Sequence, residues 1–250
     1  MRLLQLNIWQ GKLLLQTLEL IDQLDPDLLC LQEVFSCETL VGVPDRIFQN
    51  LELIRQQISH KYVYFSPTFT GTYAGQQASF GNAIISRYPL SDMKTVFING
   101  KYEPNYDPAT FEMNTRNLQI VTVHPDTGAE FHLANHHGYW LTQPLGDAVS
   151  IEKMKNVKDA LELTKQPLIF SGDLNVIPES PALRVFDNFL IDLTAVNNVR
   201  STLSEVGKAK NVACDHIFIS PGITVESYEV RPELVSDHRA VCMDFTIQVS

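Results

Sequence analysis

Six times along this chain a short apolar run meets carboxylate, amide or imidazole side chains. Leu3-Leu4-Gln5-Leu6 ends at Asn7, Leu28-Leu29-Cys30-Leu31 at Gln32-Glu33, and Phe131-His132-Leu133-Ala134 at Asn135-His136-His137. Leu168-Ile169-Phe170 leads to Asp173 and Asn175, Asp215 opens His216-Ile217-Phe218-Ile219, and Asp237-His238 stand before Ala240-Val241. Apolar runs of this length read as buried strands, and α/β folds assemble sites where strands end. Helical spacing intervenes over 13–24, 45–59, 147–164 and 181–189. Further strands are expected at 62–65, 82–86, 94–98, 224–230 and 240–249. The pair 117–124 and 130–135, joined by Asp126-Thr127-Gly128, is a hairpin signal. Strand and helix signals alternate without internal repeats, so the class is α/β or α+β.

The 250 residues are 44% hydrophobic and 19% charged, which supports a large core. No linker composition interrupts them, so one domain over 1–250 is expected. With 19 Lys and Arg against 29 Asp and Glu, the net charge of −10 argues against a module that coats duplex DNA through its phosphates. Any phosphate it handles needs a local site. The first residues lack a charged, apolar leader, and no run approaches the ~20 apolar residues of a membrane span. Cys30, Cys37, Cys214 and Cys242 form no CxxC pair and read as buried thiols. A cytoplasmic monomer is the expectation.

Taken singly, a strand-end Asn or Asp is a turn former or a helix cap. Glu33 is harder to dismiss, because a carboxylate closing a buried strand needs a cation or hydrogen bonds to offset desolvation. Asp173 and Asn175 are two apart, so on an extended segment they face one pocket. Asp215-His216 and Asp237-His238 place a carboxylate beside an imidazole. The His clusters would also suit zinc. Two stretches, 67–80 and 99–116, are rich in Thr, Gly, Tyr, Asn and Pro and read as long irregular loops of the kind that bind ligands.

At these residues the sequence resembles the endonuclease/exonuclease/phosphatase superfamily of DNase I-like, metal-dependent phosphodiesterases. The matching pieces are Leu6-Asn7-Ile8-Trp9, residues 27–34, Gly81-Asn82-Ala83-Ile84-Ile85-Ser86-Arg87-Tyr88-Pro89, Asn135-His136-His137, Ser171-Gly172-Asp173-Leu174-Asn175, Asp215-His216-Ile217-Phe218 and Ser236-Asp237-His238. The resemblance implies a four-layer α/β/β/α sandwich of two packed mixed sheets, with the site at one end of them.

It also implies roles. Glu33 would be the main ligand of Mg2+ or Mn2+, with Asn7 and Asp237 in the metal shell. Asp173 would activate the attacking water, and Asn175 would donate to a phosphate oxygen. His238 would bind the phosphoryl group with Asp215 on its other ring nitrogen. His137 aligns with the family's histidine, while His136 stands in the threonine place. Neighbours on a strand face opposite sides, so only one of the two enters the site. Arg116 could clamp a phosphate but reads rather as solvated, and Asn82 reads as structural support. The abasic-site endonucleases carry a carboxylate two residues after the first Asn, where this chain has Trp9, which leaves a one-metal site. The expected substrate is a nucleic-acid end, a nucleotide or a small phosphodiester. Two other readings are a sphingomyelinase-like lipid phosphodiesterase, with Phe69, Tyr73 and Phe80 or Tyr102, Tyr106 and Phe111 facing a membrane, and a two-metal zinc or iron hydrolase of another fold. A silent binding module is disfavoured, because Glu33, Asp173, Asn175, Asp237 and His238 are all present.

Overall fold

Alternation along the first strand, β1 (Arg2–Asn7), sorts its side chains into two layers. Leu4 and Leu6 join Leu20, Ile21, Leu51 and Ile54 of the helices α1 (Leu14–Leu24) and α2 (Asn50–Gln57). Leu3 instead packs with Val121, Leu133, Ile169 and Ile217 across a seam between two sheets. The computed structural model describes residues 1–37, 46–73, 75–107, 109–110, 114–126, 128–207, 209 and 211–248.

The first sheet adds β2 (Leu28–Ser36), β3 (Tyr62–Tyr73), β4 (Gln76–Ser86), and the C-terminal β11 (Ile223–Val230) and β12 (Val241–Ile247), in the order β11-β12-β1-β2-β4-β3. The second holds β5 (Leu90–Asn99), β6 (Arg116–Val123), β7 (Phe131–His137), β8 (Leu168–Asp173), β9 (Ile191–Asp192) and β10 (Asp215–Ile219), in the order β5-β6-β7-β8-β10-β9. Among the described strands β1–β2 and β7–β8 pair in parallel and the other neighbours antiparallel, so both sheets are mixed. The outer face of the second sheet carries α3 (Ala148–Glu162), whose Met154, Val157 and Leu161 pack on Leu168 and Phe170. Asp147 caps that helix by accepting from Ser150 N at 2.9 Å. A short α4 (Leu193–Val196) follows β9. Fully burying each such Leu or Phe contributes about 1.5–3 kcal/mol, and three apolar layers alternate with the sheets. This is the α/β/β/α sandwich.

Three expectations change. Residues 67–80 are not an irregular loop, because β3 and β4 run on as a hairpin through Tyr73 and Gln76. Its Phe69 stacks on Phe80 at 5.1 Å and on Tyr106 of the 99–116 stretch at 4.4 Å, while Tyr73 stacks on Phe48 at 4.4 Å. The helix expected over 181–189 is a short 3-10 turn, Leu183–Phe186. The one expected over 45–59 is a 3-10 turn followed by α2. Asp45, Phe111, Thr127 and Val249 lie outside the described residues.

Candidate active site

At one end of the seam five strands place polar side chains on its inward side. β7 and β8 run parallel, so His137 lies beside Asp173, and antiparallel β10 sets Asp215 opposite Asp173. The backbones come close enough that a Cβ on Gly172 would meet His136 O at 1.9 Å. From the facing sheet come Asn7 and Glu33 at the ends of β1 and β2. Glu33 sits where the register of β2 against β4 breaks, between Leu31 and Val34, with a left-handed backbone of φ 57°. Such a bulge re-aims a side chain, and a non-glycine residue held there stores strain of the sort found at working sites.

Asp173 Oδ2 is the meeting point. Asn7 Nδ2 donates to it at 3.0 Å and to Glu33 Oε1 at 3.3 Å. His137 Nε2 lies 3.5 Å from it and His238 Nε2 lies 3.6 Å. The Asn175 backbone N–H donates to Asp173 Oδ1 at 3.0 Å. Behind His238, its Nδ1–H donates to buried Asp215 Oδ2 at 2.8 Å. That carboxylate also accepts from the Thr202 hydroxyl at 2.6 Å and Gln5 Nε2 at 3.1 Å.

Burial and the charge of Asp215 push the Asp173 carboxyl up to about 6, against the pull of His238 and the hydrogen bonds from Asn7 and Asn175. Burial opposes the charge on His238, yet Asp215 and Asp173 hold it well above the usual histidine value. Burial and the positive charges of Arg116 and His238 hold His137 well below that value. The rim therefore carries one charged imidazole, one neutral imidazole, and a carboxylate that changes protonation near neutrality.

A hard divalent cation fits this donor set. The Glu33 carboxylate receives one hydrogen bond among the described residues, from Asn7, and keeps its other lone pairs. Asp237 is half-buried, with its Oδ1 3.2 Å from the Ser236 hydroxyl. Carboxylate and amide oxygens suit Mg2+ or Mn2+. Asp173, Cys214 and His238 also bring donor atoms within 4.8 Å of one another. In that group His238 Nδ1 is engaged by Asp215, which leaves Nε2 as its free ring nitrogen.

The remaining residues fall into place around this group. Asn175, left-handed at φ 58°, donates its amide to Gly138 O at 3.1 Å. Asp237 connects through Ser236, whose hydroxyl donates to Asn7 O at 2.7 Å. His136 faces the helix side, is pushed down to about 4 by burial, and bonds Asn117 O through Nδ1 at 2.8 Å. His216 also points away, to Asp192 Oδ2 and Val176 O, both at 2.9 Å, so Asp215 orients His238 and not its chain neighbour. Arg116 is half-buried, not solvated, and its Nε donates to Gly138 O at 2.6 Å. Asn82 donates to Asn117 Oδ1 at 2.9 Å between the sheets. Sequence reasoning gave no role to Gln5, Gln32 or Thr202. The available signal was parity, since Gln5 and Gln32 occupy inward positions otherwise apolar.

Two sheets packed face to face under outer helices, with carboxylates and imidazoles gathered at one end of the seam, define the DNase I-like class of phosphoester hydrolases. The chain belongs to the endonuclease/exonuclease/phosphatase family, whose profile matches residues 4–238. Among solved structures it is similar to an endonuclease/exonuclease/phosphatase from Beutenbergia cavernae, at 19% identity and TM-score 0.75 over 98% of this chain and 71% of that one. A mannosyl-6-phosphatase from Bacteroides thetaiotaomicron gives 14% identity and TM-score 0.70 over 99% and 100% of the two chains. The human Nocturnin catalytic domain, with bound sulfate, gives 19% and 0.69 over 99% and 93%. Comparison with curated proteins gives no match. The fold excludes the zinc or iron hydrolase of another architecture. The aromatic side chains weighed for a membrane surface are largely stacked on one another: Phe69 on Phe80 and Tyr106, and Tyr73 on Phe48. No helix among the described residues is long and apolar enough to cross a membrane.

Proposed function

We propose that this protein is a Mg2+- or Mn2+-dependent phosphodiesterase, one domain over 1–250 acting as a cytoplasmic monomer on a nucleic-acid end, a nucleotide or a small phosphodiester. The observation that carries the reading is the convergence of Asn7, His137 and His238 on one oxygen of Asp173, with Asp215 behind His238. Glu33, with Asn7 and Asp237, would hold the cation, which when bound neutralises phosphoryl charge and lowers the pKa of water.

The protein's own groups supply the rest. Asp173, raised to about 6, is ionised at neutral pH yet basic enough to take a proton from the attacking water. The His238 imidazolium presents Nε2–H to a phosphoryl oxygen, and Asp215 fixes its ring and its charge. Neutral His137 can donate to the same group. Asn175 spends one amide hydrogen on Gly138 and has a second for a non-bridging oxygen, in a pocket whose low dielectric strengthens it.

Purified protein should hydrolyse bis(p-nitrophenyl) phosphate only with added Mn2+ or Mg2+, and Asp173→Asn should lower turnover by about 10³-fold, as removal of a general base does. Absence of both turnover and cation-induced thermal stabilisation in the wild type would overturn the reading.

A further inference from the structure

Beside the rim lies an open cleft of about 710 Å³, within the range of small-molecule sites. Its wall continues the site: Ile177 stands two residues after Asn175, Arg200 two before Thr202, and Ala213 two before Asp215. The segment after Asn175 is pinned from within by His216. Both its partners, the Asp192 carboxylate and the Val176 carbonyl, are acceptors, so both ring nitrogens carry hydrogen and the imidazolium holds the wall still.

The lining chemistry restricts the occupant. Arg200, Asn211 and Glu179 face the cleft, and none has a side-chain partner among the described residues. Asn198 and Asn211 are left-handed at φ 52° and 58°, a conformation asparagine tolerates better than most residues. No aromatic ring is among the described lining residues, so nothing there would stack on a base. A guanidinium, a carboxylate and two amides are planar donor and acceptor groups, poorly matched to an acyl chain. They match hydroxyl groups, each of which both donates and accepts.

We propose that this cleft is the subsite for the alcohol part of the substrate, and that this part is a polyhydroxylated, sugar-like group whose hydroxyls are held by Arg200, Asn211 and Glu179. The assignment rests on the phosphoester-hydrolase reading of the neighbouring rim and narrows it. A sugar phosphate engages both rim and cleft, whereas inorganic phosphate engages the rim alone.

The test is competition against bis(p-nitrophenyl) phosphate turnover by inorganic phosphate, glucose 6-phosphate and pyrophosphate. Glucose 6-phosphate acts as a competitor whether or not it is itself cleaved. It should inhibit at least about tenfold more tightly than inorganic phosphate, and Arg200→Ala or Asn211→Gly should remove about tenfold of that advantage, the worth of one or two hydrogen bonds to a charged or polar group. Equal inhibition by glucose 6-phosphate and inorganic phosphate, or an advantage intact in both variants, overturns the assignment. So does a gain for pyrophosphate equal to that for glucose 6-phosphate, which would mark an anion site. If the aryl diester is not turned over, the rim reading is what fails that assay, and calorimetric titration of the same three ligands still decides the cleft.

Discussion

Asp215→Asn preserves side-chain shape and removes an acceptor where the structure offers only donors. Oδ2 receives the Thr202 hydroxyl at 2.6 Å and His238 Nδ1 at 2.8 Å, and Oδ1 receives Gln5 Nε2 at 3.1 Å. An amide nitrogen in the first position confronts Thr202 and His238. In the second it confronts Gln5, whose carbonyl already accepts from Gln32 Nε2 at 2.9 Å. Thr202 cannot simply turn its hydroxyl round, because its oxygen accepts from the backbone N–H groups of Cys214 and Asp215, both at 3.1 Å. At least one buried donor is left unmet either way, costing about 1–3 kcal/mol each. Losing the charge partner of a buried cation places the total at about 3–5 kcal/mol.

The loss depends on pH with a definite sign. In the wild type the folded value of His238 is raised by Asp215 and Asp173 against burial. Its contribution is therefore complete below the unfolded value and fades as pH rises through the folded one. Without the Asp215 charge, burial gains the upper hand and the folded value falls, so the variant loses stability as pH drops through the ordinary histidine range. Urea unfolding of both proteins at about pH 5.5 and about pH 8.5, either side of that range, should give the larger difference at the lower pH. A difference under about 1 kcal/mol, the worth of an exposed pair, or one larger at high pH, would refute the reasoning.

Glu33→Gln removes a charged oxygen donor and should weaken Mn2+ binding at least about tenfold, or 1.4 kcal/mol, in a calorimetric titration; unchanged affinity would remove Glu33 from the cation site. Gly172→Ala places a Cβ 1.9 Å from His136 O, so β7 and β8 must part. We expect about 1–3 kcal/mol of destabilisation on denaturant unfolding and reduced turnover from a displaced Asp173. A variant as stable and active as the wild type would show that the strands have room.

The strands that carry the site were legible because their apolar runs are short, uninterrupted and punctuated by polar ends. The hairpin over 67–80 was not, since Thr, Gly and Gln alternate there without an apolar face. The strand ladder there is joined by ring stacking between distant residues, Phe48 on Tyr73 and Phe69 on Tyr106, which local propensity does not register. The 3-10 turn at Leu183–Phe186 misled for the opposite reason: its apolar spacing mimics a longer helix, but burying Leu183 and Phe186 needs one turn. In the site, strand-end position picked out the residues, and family resemblance paired Asp215 with His238. From the residues alone His216 competed, and parity decides against it, because adjacent residues on β10 face opposite layers.

That parity also explains how a charged rim coexists with a stable seam. Reading inward positions toward the rim, β1 runs Leu3, Gln5, Asn7; β7 runs Leu133, Asn135, His137; β8 runs Ile169, Ser171, Asp173. Each strand passes from apolar through neutral polar to the rim residue in steps of two. The amides of the middle tier are hydrogen-bonded within each sheet and across the seam, while the buried Ser171 hydroxyl has no hydrogen-bond partner among the described residues. Gln5 and Gln32 exchange bonds at 2.8 and 2.9 Å, Gln32 donates to Asn135 at 2.6 Å, and Asn135 donates to Gln119 at 2.9 Å. Satisfied buried amides lock one sheet against the other in a single register. Gln5 then reaches up to Asp215, so the spacing between the sheets sets the position of His238. An apolar middle tier of equal volume could stabilise the seam as well, but it would leave Asp215 without one of its donors and the two halves of the site without a fixed alignment.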